Sequence, residues 1–166
     1  LFLSITSALF LAASVYAVGY LAQEKKGSRR DLVEGLFFAN APEAVFTGCL
    51  LLFLAAMTLV VLSRHLGLLW VGVEATTLAS APLIYFHRHH RSLEATWKYL
   101  LICSVGIGLA LLGNFCFAVS AAGAPGDGGS LLFPSLVAHA GRLQVPWLKA
   151  GFLCLLVGYG TKMGLA

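Results

Sequence analysis

Of 166 residues, 59% are hydrophobic and only 11% are charged, with a mean hydropathy of +0.87; soluble domains usually carry about 25% charged residues. The formal net charge of +4 matters less than its distribution, because residues 1–23, 44–63 and 99–126 contain no charge at all. Runs of this kind approach or exceed the roughly 20 apolar residues that cross a hydrocarbon core, so they exclude a soluble enzyme or a nucleic-acid-binding module and describe an all-α polytopic membrane bundle.

Five membrane helices are expected, the last of them discontinuous near Lys162. The first covers residues 1–21 and ends at Tyr20, an aromatic residue suited to the interface. A hydrophilic loop follows at residues 23–31, and the second helix spans residues 44–62, with a possible earlier start near Leu36 and with Pro42 and Glu43 near its beginning. Arg64 and His65 form a short turn before a third helix at residues 66–86, which has Trp70 near its start and Tyr85 near its end. After the basic turn at residues 87–91, Ser92 is a good N-cap for a fourth helix at residues 93–119. Residues 121–144 form a Gly- and Pro-rich connection whose apolar piece, residues 131–140, is too short to span and suits the interface. The fifth helix starts near Pro146, a favoured first-turn residue, and reaches at least Lys162.

The ends are read as internal. The chain starts at Leu1 without a basic leader and stops within an apolar stretch, so residues 1–166 are expected to be a fragment of one transmembrane domain, truncated at both termini. Loop charge gives an orientation. Loops one and three hold Lys25, Lys26, Arg29, Arg30, Arg88 and Arg91, against Arg64 and Arg142 in loops two and four. That asymmetry puts the loops at residues 23–43 and 87–92 on the cytoplasmic side of an inner membrane.

Three charged residues stand where lipid would demand apolar ones. Glu74 lies eight positions after Leu66, near mid-membrane, with a side chain too short to reach the interface. Lys98 lies about two turns into the fourth helix, and Lys162 lies deep in the fifth. A central charge costs about 2.5–3.5 kcal/mol on insertion scales, so such groups require interior partners or a wet path. Lys149, beside Trp147, is explained by its long stem reaching the interface. The third and fourth helices form a hairpin in which Glu74 and Lys98 are offset by about 9 Å at 1.5 Å per residue, so they are expected to pair directly or through a water. Thr76, Thr77 and Ser80 surround the carboxylate, Ser104 follows Lys98, and Thr161 precedes Lys162. Hydroxyls in such places support water chains or bond the carbonyl four residues back.

The remaining candidates read more plainly. His87, His89 and His90 with Arg88 and Arg91 are expected to be a solvated turn touching anionic headgroups rather than a metal site. Cys49, Cys103, Cys116 and Cys154 lack any CxxC spacing and read as packing residues. No iron–sulfur or haem ligand set is visible on the chain.

Three stretches then carry a resemblance: residues 68–80 (LLWVGVEATTLAS), 92–106 (SLEATWKYLLICSVG) and 158–166 (GYGTKMGLA). Together they resemble the antiporter-like proton-translocating membrane subunits of respiratory complex I, energy-converting hydrogenases and multisubunit cation/proton antiporters, most of all the subunit 5 and hydrogenase-4 component F type. The resemblance covers the whole chain as the third through seventh helices. It implies a bundle of inverted repeats with discontinuous helices. It also implies Glu74 as the input carboxylate, Lys98 as its partner and Lys162 as the proton-carrying lysine of a broken helix. It implies no cofactor on this chain, with iron–sulfur clusters, flavin or a nickel–iron site on partner subunits, and protons, or sodium, as the transported ion. The implied activity is that of a subunit of an oxidoreductase complex, with a sodium/proton antiporter subunit as the alternative.

Overall fold

The computed structural model describes residues 1–24, 40–122 and 130–164. The basic residues of loop one, the earlier start of the second helix near Leu36, residues 123–129 of the Gly- and Pro-rich connection and the last two residues lie outside them. The elements run α1 (Phe2–Glu24), α2 (Glu43–Leu62), α3 (Leu66–Ile84), α4 (His90–Ala121), a short α5 (Phe133–Ala138), a 3-10 turn (Ala140–Arg142) and α6 (Val145–Met163). Among the described residues there is no strand, only an isolated bridge between His65 and Leu132. Helices satisfy their own backbone groups, as apolar runs in lipid must.

Among the described residues four helices, α1 to α4, are long and apolar enough to cross a bilayer. The expected fifth, α6, falls short of that standard, and composition rather than length is the reason. Its 19 residues would extend about 28 Å at 1.5 Å per residue. Within them stand Lys149, Lys162, Pro146 and three glycines, which dilute the apolar character. Pro146 does occupy the first turn, as expected. Within the described residues α6 carries no break at Lys162. The helix runs unbroken through Lys162 to Met163 and stops at Gly164, whose φ of 77° is left-handed and whose N–H returns to Gly160 O. The N-cap assignment of Ser92 is corrected. The helix begins at His90, so Ser92 lies in its first turn, where Oγ accepts from His89 N (3.1 Å) and donates to His89 O (2.8 Å).

The chain divides into two compact units. One comprises residues 1–61 and 75–99. There the rings of Tyr20, Phe46 and Phe86 gather with centroids 5.1–6.4 Å apart, and Ala41 N donates to Phe86 O. Against the rings runs a polar chain. Tyr20 Oη meets His87 Nε2 (3.1 Å), His87 Nδ1 meets Asn40 Oδ1 (3.0 Å), and Asn40 Nδ2 donates to Glu24 Oε2 (2.9 Å). Glu24 is 8% exposed. The reading of His87 as a solvated headgroup contact is therefore corrected. Its ring is half-buried and bonded at both nitrogens, because Tyr20 and Asn40 come from elements that the sequence alone does not bring together.

The other unit comprises residues 62–74 and 100–166. Its spine is the later part of α4, where Cys103, Ile107, Ala110, Asn114, Cys116, Ser120 and Ala121 are all buried. The start of α3 packs on it through Trp70, whose Nε1 donates to Ile107 O (2.8 Å). On another side α6 lies antiparallel to α4 along a seam of glycines. A Cβ on Gly158 would come 2.5 Å from Ala110 N, and one on Gly106 would strike the Thr161 hydroxyl. Only glycine permits backbones to meet this closely, the small-residue logic of membrane helix packing. The short α5 closes the end of the unit, with Leu136 buried in a cluster with Leu66 and Ala121. Phe133 N and Leu66 N bond Arg64 O and Leu131 O there.

Candidate functional site

The contacts along α4 set the depth of the charged residues in the second unit. Leu66 meets Asn114 and Trp70 meets Ile107, so each step up α3 is a step down α4. Continued by one turn, that register brings Glu74 level with the turn of α4 that holds Cys103 and Gly106. On the other side, Thr161 packs on Gly106 and Leu155 on Gly113, which brings Lys162 level with the same turn. Two residues far apart in sequence, one acidic and one basic, thus share one depth along the spine.

Glu74 is half-buried, and its Oε2 is fully enclosed with no hydrogen-bond partner among the described residues. Leaving a buried polar group unbonded costs about 1–3 kcal/mol, and more for a charged one. The oxygen is therefore open to a water or a proton. Lys162 is half-buried and engaged in interactions of its own.

Lys98 is placed differently from the expectation. The sequence pointed it at Glu74; its ammonium is instead taken by Glu94, one turn back on the same helix, and its side chain is 70% exposed. The cause is local. The i, i+4 spacing on α4 offers a carboxylate without any reach along the hairpin.

The hydroxyls divide between helix-satisfying and bridging roles. Ser104 Oγ donates to Leu100 O (2.7 Å) and Thr161 Oγ1 to Gly158 O (2.8 Å), each bonding its own helix. Ser80 Oγ donates to Thr77 O and lies 2.9 Å from Tyr99 Oη, linking α3 to α4 within the first unit. Thr77 is 1% exposed, and Thr76 and Thr77 are both engaged. Lys149 is exposed and lines one groove with Phe117 and Phe152, as suits a residue reaching for the interface. The four cysteines are free thiols, and Cys103 and Cys116 are buried. Among the described residues, no three His, Cys, Asp or Glu side chains converge as a metal site would require.

Two polar residues of the same unit were not marked by the sequence. Asn114, 2% exposed, and Tyr159 each present a buried oxygen with no hydrogen bond among the described residues. A lone Asn or Tyr in an apolar run is an ordinary packing residue by pattern, so nothing in the string marked them.

Comparison with known proteins agrees with this architecture. Residues 63–166 match the family described as NADH:quinone oxidoreductase/Mrp antiporter, TM. The chain is 32% identical over 165 residues to a hydrogenase-4 component F homolog of Methylacidiphilum infernorum (isolate V4), which covers 99% of this chain and 33% of that protein. It is 34% identical over 109 residues to NADH-quinone oxidoreductase subunit N of Methylococcus capsulatus (strain ATCC 33009 / NCIMB 11132 / Bath), which covers 64% of this chain and 21% of that protein. No solved structure matches. The chain thus spans a third or less of the length of these curated relatives. With the family match extending over most of its residues, the chain belongs to the NADH:quinone oxidoreductase/Mrp antiporter family of membrane proteins.

Proposed function

We propose that this chain is part of a proton-translocating membrane subunit of a redox complex, of the NADH:quinone oxidoreductase or membrane-bound hydrogenase kind. The observation that carries the reading is the enclosed, unbonded Oε2 of Glu74 in an apolar helix of a chain from this family. Glu74 receives a proton, and Lys162 on α6, level with the same turn of α4, passes it onward. Lys98 takes part when its ammonium leaves Glu94, an exchange that exposure makes inexpensive. Thr76, Thr77, Ser80, Ser104 and Thr161 supply hydroxyls along the way.

The names of the two relatives support a subunit within a larger assembly. In this reading the electron carriers, whether iron–sulfur clusters, flavin or a nickel–iron site, belong to partner subunits. The protein sits in the inner membrane with the loops at residues 23–43 and 87–92 in the cytoplasm. The family description also names the Mrp antiporter, which favours a second reading: a subunit of a sodium/proton antiporter without redox chemistry.

The test is Glu74→Gln in the full-length protein within its complex, followed by proton uptake into inverted membrane vesicles. Uptake is expected to collapse while the complex still assembles. Wild-type uptake by the assembled variant contradicts the proposal, and loss of assembly assigns Glu74 a packing role instead. Uptake that requires sodium, and no electron donor, favours the antiporter reading.

A further inference from the structure

Two cavities along α1 lie outside the path through Glu74, Lys98 and Lys162. The first, about 230 Å³, lies between α1 and α2, from Thr6 and Met57 to Ala13 and Leu50. The second, about 340 Å³, shares Ala13 and Leu50 and continues past Phe46 to Tyr20, Phe86 and His87. All these residues belong to the unit of residues 1–61 and 75–99. Because the two cavities share lining residues, they form one groove, and Thr6 to Tyr20 is about 21 Å along α1 at 1.5 Å per residue. Its shaft is apolar, since the Thr6 hydroxyl bonds its own helix at Phe2 O (3.0 Å). The other end is polar, where Tyr20 Oη meets His87 Nε2 (3.1 Å).

The turn between α3 and α4 divides its side chains between the fold and the outside. His87 is taken by Tyr20 and Asn40, and His89 Nδ1 accepts from Arg91 N (3.1 Å). Arg88, His90 and Arg91 are exposed. The acids at this end are engaged elsewhere: Glu24 with Asn40, Glu94 with Lys98, and Glu43 in contacts of its own. The groove thus ends at a turn that displays two guanidinium groups.

We infer that this groove seats an acyl chain of an anionic phospholipid, with the phosphate held by Arg88 and Arg91. The groove has the size of a chain and is too small for a helix. One leaflet of a hydrocarbon core is about 15 Å deep, so about 21 Å holds a whole tail. A helix about 10 Å across would occupy on the order of 1,600 Å³ over the same length, far more than the two cavities offer. Water does not fill an apolar shaft, and a lipid tail restores the dispersion contacts that an empty one forfeits. Charge selects the headgroup. Guanidinium groups bind phosphate through paired N–H donors, and basic segments on the cytoplasmic side attract anionic lipids. In the proposed orientation this end of the helices is the cytoplasmic one. The seat depends on the chain's lying in a membrane and not on the proton path.

The test uses the full-length protein in its assembled complex, delipidated in detergent and titrated with phosphatidylglycerol or phosphatidylcholine, with bound lipids counted by native mass spectrometry. The wild type is expected to hold a phosphatidylglycerol that phosphatidylcholine does not displace. Ala13→Phe, which fills the groove where the two cavities join, should remove that lipid; if it does not assemble, Ala17→Leu is the variant that decides. Arg88→Gln combined with Arg91→Gln leaves the groove open and should weaken phosphatidylglycerol binding about fivefold per arginine, with phosphatidylcholine unaffected. Phosphatidylglycerol binding equal to wild type in the groove-filling and the arginine variants overturns the seat. Loss in the groove-filling variant alone overturns the assignment of the headgroup to Arg88 and Arg91. A structure of the complex in which a protein segment, of this polypeptide or of another subunit, fills the groove overturns the whole inference. None of these variants alters Glu74 or Lys162, so failure here leaves the proposed function standing.

Discussion

In the unit built from residues 1–61 and 75–99, Tyr20, His87, Asn40 and Glu24 pass hydrogen bonds from one to the next, and Ser80 reaches Tyr99. In the unit built from residues 62–74 and 100–166, Glu74, Asn114 and Tyr159 each keep an enclosed oxygen that the described residues leave unbonded. Both units bury polar atoms within an apolar chain, and elementary desolvation demands a partner for each. In the first, Tyr20, His87, Asn40 and Glu24 meet the demand through one another and so gain fixed geometry. The second keeps enclosed oxygens that a water or a proton could reach, along helices that meet closely at glycines. The contrast separates polar groups that build the fold from polar groups that can exchange.

Substitutions can break or sharpen this contrast. The largest effect is expected from Gly158→Leu, which drives a branched side chain into the backbone of Ala110 and Gly106. Overpacking commonly costs about 1–3 kcal/mol, and more where backbone must move. Recovery of assembled complex from membranes should fall sharply, and Gly158→Ala should show a milder loss. Next comes His87→Ala, which removes the bonds to Tyr20 and Asn40 and weakens the hold on buried Glu24. A loss of about 1–3 kcal/mol is expected, read as a lower melting temperature in detergent, with proton uptake per assembled complex unchanged. A pumping defect at normal stability would move this cluster to the other side of the comparison. Trp70→Phe deletes the donor to Ile107 O and should cost about 1 kcal/mol by the same measurement. The smallest effect belongs to Glu94→Gln. It breaks an exposed pair with Lys98, and exposed pairs contribute little, so the melting temperature should not move.

How much of this was legible in the string depends on the range of the interaction. The charge-free runs placed α1, α2 and most of α4 because lipid imposes its rule on every residue of a span, and in α3 Glu74 stood out because no short carboxylate belongs at that depth. Lys98 was misdirected. The hairpin suggested Glu74, but a carboxylate one turn away on the same helix wins by proximity. Ser92 looked like a cap, yet the helix gained its first turn from His90 onward. His87 looked solvated because its partners Tyr20 and Asn40 lie 67 and 47 residues away in sequence. The glycine seam was invisible for a related reason. Gly106, Gly113, Gly151 and Gly158 are unremarkable until α4 and α6 are laid against each other. The same holds for Asn114 and Tyr159, whose unbonded oxygens are a property of packing and not of either residue.

The central claim is that the enclosed oxygen of Glu74 exchanges a proton during turnover, and infrared difference spectroscopy of the full-length complex tests it most directly. Energising the wild-type complex should produce a carboxylic-acid carbonyl band that appears or disappears with turnover and is absent from Glu74→Gln. A spectrum with no such band, or with the same band in Glu74→Gln, would contradict the account.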